Sequence, residues 1–241
     1  MSGHSKWHNI QAKKSKTDAA RAKVFTKIGK EIAIAIREGG PNPNSNSKLR
    51  ELIVKAKANN VPNDNIDRII KKATEEKKDY KEITYEGYGP GGVAVIVETA
   101  TDNTNRTVGN VRAYFSKFHG NMGNTGCVSF MFTEKGVITI EKEDCELSED
   151  ELMELAIESG ADDFSAEEED VYEITTEPAD LPGVRDALMA KNIKLAGADL
   201  EKIPGNYVTL SNEDDVKWMT LLLDKLEEDD DVQQVYHNWE G

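Results

Sequence analysis

Long apolar runs are missing from this 241-residue chain: nothing approaches the ~18 consecutive apolar residues of a membrane-crossing helix, and the start, MSGHSKWHNI, lacks the apolar segment of a secretory signal. The expectation is a cytoplasmic protein with no membrane partner. A basic, acid-poor start also fits a mitochondrial transit peptide, but those favour arginine, and Arg21 is the only arginine before Arg37. Cysteine is scarce. Cys127 and Cys145 form no Cys-x-x-Cys pair, which excludes a disulfide framework and a zinc site built on paired thiolates. The four histidines are scattered; His4 and His8 stand four apart, but two ligands without a third or fourth make no metal site, so neither metal nor cofactor is expected. Catalytic signatures are missing too. There is no Gly-x-Ser-x-Gly elbow, no Cys–His pairing beyond His119 lying eight residues from Cys127, and no pair marked out among 45 acids, so no catalytic residue is assigned and the chain is not expected to be an enzyme.

What is present is segregated charge. Through Tyr80 the chain holds 18 Lys plus Arg against 9 Asp plus Glu, a net of +9; from Lys81 onward the count is 12 against 36, a net of −24. A basic segment on an acidic body suits a polyanion, because lysine and arginine release condensed counterions from phosphates while the body is repelled from them. Residues 2–17 contain Lys6, Lys13, Lys14 and Lys16 with His4, Trp7 and His8 and no acid, and have no apolar periodicity, which reads as an exposed arm. Trp7 can stack on an unpaired base, or it can fold back onto the first domain.

From Asp18 to Glu38 the spacing predicts a helix ended by Gly39-Gly40-Pro41. Phe25, Ile28, Ile32 and Ile36 share one side, and Lys23, Lys27, Lys30 and Arg37 the other, with Ile34 out of place among the lysines. That basic side is either a grip for phosphates or a solvated face. Two further amphipathic helices follow, one from Ser47 to about Asn59 and one opening at Pro62–Asp64, giving a three-helix domain over 1–79. A helix-turn-helix reader is conceivable, with Asn65, Arg68, Lys71 and Lys72 outward, although Asp64 and Asp67 stand where bases would be read.

Beyond the bundle, Gly87-Tyr88-Gly89-Pro90-Gly91-Gly92 matches Gly-x-Gly-x-x-Gly, but it leads into the strand-like Val93–Val97 where a nucleotide site needs a helix, so it is read as a turn. The glycine-rich loop His119–Gly126, expected between a helix ending at Lys117 and a strand Val128–Phe132, either cradles a phosphate on backbone N–H groups or simply turns the chain. The acidic runs Glu167–Asp170 and Glu227–Asp231 read as solvated exterior. The expected class is α+β and multidomain. A central α+β domain, discontinuous over 80–134 and 205–241, receives a ferredoxin-like βαββαβ domain inserted over 135–204.

Gly3-His4-Ser5-Lys6-Trp7, Lys23-Val24-Phe25-Thr26-Lys27, NVPNDNIDRIIKKA, YEGYGPGG with VAVIVE, and TDNTNRT through GCVSFMF resemble the YebC/PmpR family over essentially the whole chain. The family often has Lys-His-Gly-Gly-Asn where this chain has Lys117-Phe118-His119-Gly120-Asn121, and Ser where Cys127 stands. The resemblance implies three domains, with the ferredoxin-like one inserted. It also implies a probable DNA-binding transcriptional regulator, or a factor similar to the mitochondrial translational activator of cytochrome c oxidase and to ribosome-associated factors that assist synthesis of proline-rich stretches. Carried onto this sequence, the nucleic-acid-binding residues are His4, Lys6, Trp7, Lys13, Lys14, Lys16, Arg21, Lys23, Lys27 and Lys30. The implied partners are ribosomal RNA or tRNA, the ribosome, or promoter DNA. A Lys-rich arm with an aromatic suits irregular RNA better than a duplex groove. The competing class is an interaction protein whose acidic body binds a basic partner.

Overall fold

Three helices open the described chain: α1 (Asp18–Gly39), α2 (Ser47–Ala58) and α3 (Asn63–Glu76). The structure, a computed structural model, describes residues 18–59, 61–76 and 78–240. α1 stops where Gly40 enters the left-handed region, at φ 82°, and returns its N–H to the Ile36 carbonyl at 2.8 Å. The cap of α2 is Asn46, one residue before the expected Ser47. Its Oδ1 accepts the Leu49 N–H at 3.0 Å, while its amide donates to the carbonyls of Ala35 at 2.7 Å and Gly40 at 2.8 Å. One buried side chain thus starts one helix and satisfies the end of another. The bundle closes over Ile28, Ile32, Ala35, Ile36, Leu49, Ala56, Val61 and Ile66.

The chain continues as β1 (Lys81–Tyr88), β2 (Ala94–Thr101), α4 (Thr104–Lys117), β3 (Asn121–Met122), β4 (Phe132–Glu141), α5 (Glu149–Glu158), β5 (Asp163–Ser165) and β6 (Val171–Thr176). It ends with α6 (Leu181–Ala190), β7 (Gly197–Pro204), β8 (Val208–Thr209), α7 (Glu213–Glu228), β9 (Val232–His237) and β10 (Trp239–Glu240). Helices and sheets are both present, so the class is mixed α and β. The chain divides into two compact units, Phe132–Gly205 and the described residues before and after it.

In the flanking unit an antiparallel sheet runs β3-β1-β2-β9. β2 lies inside it and is buried along almost its whole length, which is why AVIVETAT is apolar without strict alternation. The last strand, β9, pairs with β2 through Val95↔His237 and Val97↔Val235, so the chain from Asn206 on completes a sheet begun at Lys81. The glycine run forms the β1–β2 connection, a single 3-10 turn at Pro90–Gly92 with Gly91 at φ 65° and Gly92 at φ 80°.

Phe132–Gly205 holds a second antiparallel sheet, ordered β5-β6-β4-β7, in a chain order of strand, helix, strand, strand, helix, strand. Its core includes Ile138, Ile140 and Ile174 from the sheet and Leu152, Ala156, Val184 and Leu188 from the helices. One expectation is corrected here. Val128–Phe132 is not a strand: Ser129–Met131 is a 3-10 turn, and β4 begins at Phe132 and runs unbroken through Gly136. Gly136, inside β4, lets the strand pass close to its neighbours, since a Cβ there would collide with Thr176 Oγ1.

Candidate nucleic-acid interface

Of the ten residues expected to bind nucleic acid, His4, Lys6, Trp7, Lys13, Lys14 and Lys16 lie outside the described residues. Arg21 stands on α1, and Lys23, half-buried two residues on, forms no ion pair with any described residue. The other two point elsewhere. Lys30 is only 9% exposed: its Nζ donates to Asp231 Oδ1 at 2.8 Å and to the carbonyls of Asp230 at 2.7 Å and Ala100 at 3.2 Å. Lys27 Nζ donates to the Gln233 carbonyl at 3.2 Å, and burial, only partly offset by Glu227, lowers its pKa to about 8.

The outward lysine side expected for α1 is therefore corrected at Lys30 and, in part, at Lys27. The physical reason is that α1 packs on two sides. Its apolar stripe closes the bundle; its lysine stripe meets the segment around β9, where carbonyls and Asp231 supply acceptors. Arg37, on the same stripe, donates to Asp79 and to the Tyr80 carbonyl. Ile34, the residue out of place among the lysines, is 1% exposed and was the signal in the sequence.

Asp231 is the residue that sequence reasoning missed. It belongs to the run expected to be solvated exterior, yet it is 4% exposed. Its Oδ2 accepts from Arg106 Nη2 at 2.6 Å and Nε at 3.1 Å, from Thr107 Oγ1 at 2.8 Å and from Thr101 Oγ1 at 3.3 Å, while Oδ1 takes Lys30. Burial opposes the charged carboxylate, but the hydrogen bonds from Lys30, Arg106 and Thr107 outweigh it and hold the pKa at about 2. Asp229 is engaged as well, accepting from Tyr114 Oη at 2.9 Å and Asn110 Nδ2 at 3.2 Å. Asp231 is an internal counter-charge of the fold, and Asp229 is a hydrogen-bond acceptor beside it.

The glycine-rich loop after α4 contains a cradle, and the protein fills it. Glu86, 3% exposed, takes the N–H of Gly126 on Oε1 at 2.7 Å and those of Val128 and Ser129 on Oε2 at 2.9 and 2.8 Å. Burial raises the carboxyl, but these N–H groups and the Ser129 hydroxyl more than reverse that, so its pKa lies below the ordinary value. Backbone donors that would hold a phosphate hold a carboxylate instead; within the loop His119–Gly126 this takes the Gly126 N–H, the other two donors lying just beyond it.

On α3 the exposed basic side chains are muted by their own helix. Lys71 and Lys72 lie 4.0 and 3.8 Å from Glu75 and Glu76, Arg68 donates to Asn65, and Asp64 and Asp67 are exposed at the start. Where α4 ends, aromatic and basic groups meet. His119 packs edge-to-face on Trp218 of α7, with centroids 4.8 Å apart; Phe118 lies 6.4 Å from Trp218, and Lys117 and Lys217 sit over the Phe118 and Trp218 rings at 5.3 and 5.2 Å. Among the described residues no group of three or more His, Cys, Asp or Glu could hold a metal, and no helix is long and apolar enough to cross a membrane.

Comparison with known proteins adds an independent observation. The family model of the TACO1/YebC protein N-terminal domain matches residues 5–76, and that of the TACO1/YebC second and third domain matches residues 80–239. The probable transcriptional regulatory protein ORF2U of Hathewaya histolytica is 59% identical over all of this chain and 97% of its own length. A probable transcriptional regulatory protein of Lachnoclostridium phytofermentans is 54% identical with both chains fully covered. Among solved structures, the conserved hypothetical protein Aq1575 from Aquifex aeolicus is 45% identical with a TM-score of 0.84, over 93% of this chain and 92% of that one.

Proposed function

The chain belongs to the TACO1/YebC family, and on that footing we propose that it is a non-enzymatic, nucleic-acid-binding regulator of gene expression that acts in the cytoplasm. Its relatives carry the name probable transcriptional regulatory protein. We read its layout as three domains, the helical one through residue 79, a discontinuous central one, and a ferredoxin-like insertion. The observation that carries the reading is the segregation of charge, +9 through Tyr80 against −24 beyond it, which makes the N-terminal arm the polyanion grip and turns the acidic body away. Because Lys30 and Lys27 are drawn into packing, the grip rests on His4, Lys6, Trp7, Lys13, Lys14, Lys16, Arg21 and Lys23.

RNA is the target that these residues favour, in ribosomal RNA or tRNA on the ribosome. A duplex reader needs a helix shaped for a groove, and α3 begins with exposed acids and spends two lysines on its own glutamates. An arm rich in lysine with one tryptophan suits irregular RNA, where bases are splayed and can be stacked.

The test is co-sedimentation with ribosomes, for the intact chain and for one lacking residues 1–22, beside binding to a promoter-like duplex. Co-sedimentation that disappears with the deletion supports the arm; association that survives it, or survives alanine at Lys6, Lys13, Lys14 and Lys16, refutes it. That second outcome favours the competing class, in which the acidic body binds a basic protein. If the five lysines and Arg21 engage phosphates, log affinity for a duplex falls with log salt at a slope near −5.

A further inference from the structure

We propose that the His119–Trp218 pair, with Lys117 and Lys217 beside it, is a second nucleic-acid contact that stacks one unpaired base. The proposal rests on the nucleic-acid reading above and extends it from the arm to the central sheet's own unit.

The backbone gives the first argument. His119 sits at φ 61°, in the left-handed region where a glycine would be free of strain, and only Asn192 shares that feature among the described non-glycine residues. Burial does not account for a histidine there, because the residue is exposed. Its ring is instead fixed against Trp218 at 4.8 Å with an interplanar angle of 63°. In an edge-to-face pair, the ring that offers its edge keeps both faces clear of the other, so the pair forms a rigid aromatic corner with a π-face to spare.

Charge gives the second argument. Beyond Tyr80 the chain is strongly acidic, and several of its lysines stand against carboxylates: Lys194 on Asp144, Lys225 on Glu228, Lys135 on Asp162 and Glu177. Lys117 and Lys217 are exposed and form no ion pair with a described residue; each lies over an aromatic ring of the cluster. Two cations outside ion pairs, flanking paired aromatic rings, match the chemistry of a nucleotide, with the phosphate drawn to ammonium and the base laid on a ring. Glu213, Asp214 and Asp215 occupy the first turn of α7. Glu213 and Asp214, four and three residues before Lys217, share its face and limit the favourable potential there, which suits a single nucleotide and not an extended tract.

The test is fluorescence anisotropy with the full chain, using a labelled single-stranded RNA of about ten nucleotides, its DNA counterpart, and a blunt RNA duplex. A stacked base is worth about 5- to 150-fold in affinity. His119→Gly, which removes the ring and relaxes the backbone, is expected to weaken single-strand binding by that factor, leave duplex binding within twofold, and not lower the melting temperature. Trp218→Phe keeps a ring and is expected to retain most of the affinity. RNA and DNA strands that respond alike place recognition on the base; a response confined to RNA adds the 2′-hydroxyl. Single-strand affinity unchanged in His119→Gly, while alanine at Lys6, Lys13, Lys14 and Lys16 abolishes it, overturns the stacking site and leaves the arm intact. A wild-type chain that binds neither polymer overturns both.

Discussion

Replacing Asp231 by asparagine removes the anion that Lys30, Arg106 and two threonine hydroxyls share. Lys30, 9% exposed, keeps only the carbonyls of Ala100 and Asp230, so a buried cation loses its counter-charge. Breaking a buried pair on one side costs about 3–5 kcal/mol. Arg106 is half exposed and can turn to water and Asp102, so the low end applies, about 3 kcal/mol and about 6–12 °C in melting temperature for a unit of this size. The pH dependence has a definite sign. The carboxyl is depressed from 3.8 to about 2 in the folded chain, so its stabilisation is fully present above pH ~4 and is lost as pH falls toward 2. Between pH 7 and pH 3 the gap between wild type and Asp231→Asn is expected to shrink by about 1 kcal/mol. Urea unfolding followed by tryptophan emission in a Trp7→Phe background reads this unit selectively, because Trp218 and Trp239 both lie outside Phe132–Gly205. A midpoint unchanged by the substitution, or a gap as large at pH 3 as at pH 7, would refute the assignment.

Two other substitutions probe the charges that the fold consumes. Glu86→Gln leaves three converging N–H groups with a neutral acceptor in place of a carboxylate, at about 1–3 kcal/mol; amide exchange should accelerate at Gly126, Val128 and Ser129, and unaltered protection there would contradict the cradle. Lys27 is charged at neutral pH against the pull of burial, so Lys27→Met should raise the midpoint at pH 7. That gain should fade above pH 8 as the native amine loses its proton, and a gain independent of pH would count against the lowered pKa.

The local punctuation was readable: Gly39-Gly40-Pro41 ends α1 and the glycine run turns β1 into β2. The errors cluster where a residue answers to something distant in sequence. Val128–Phe132 looks like a strand until the N–H groups of Val128 and Ser129 are seen turned onto the Glu86 carboxylate. Asn46 looks like loop until it is seen holding carbonyls on α1.

By itself the sequence determined the periodicities, the turns, the division of charge and the motifs of the family, because each is a property of residues near one another along the chain. Which charges are spent inside the protein was decided only by tertiary structure. Lys30 and Asp231 are 201 residues apart, and the Glu86 carboxylate meets amides about 40 residues on. A lysine side of a helix reads the same whether water, phosphate or a carboxylate faces it; only the packing of α1 against the start of β9 determines that Lys30 is a strut of the fold.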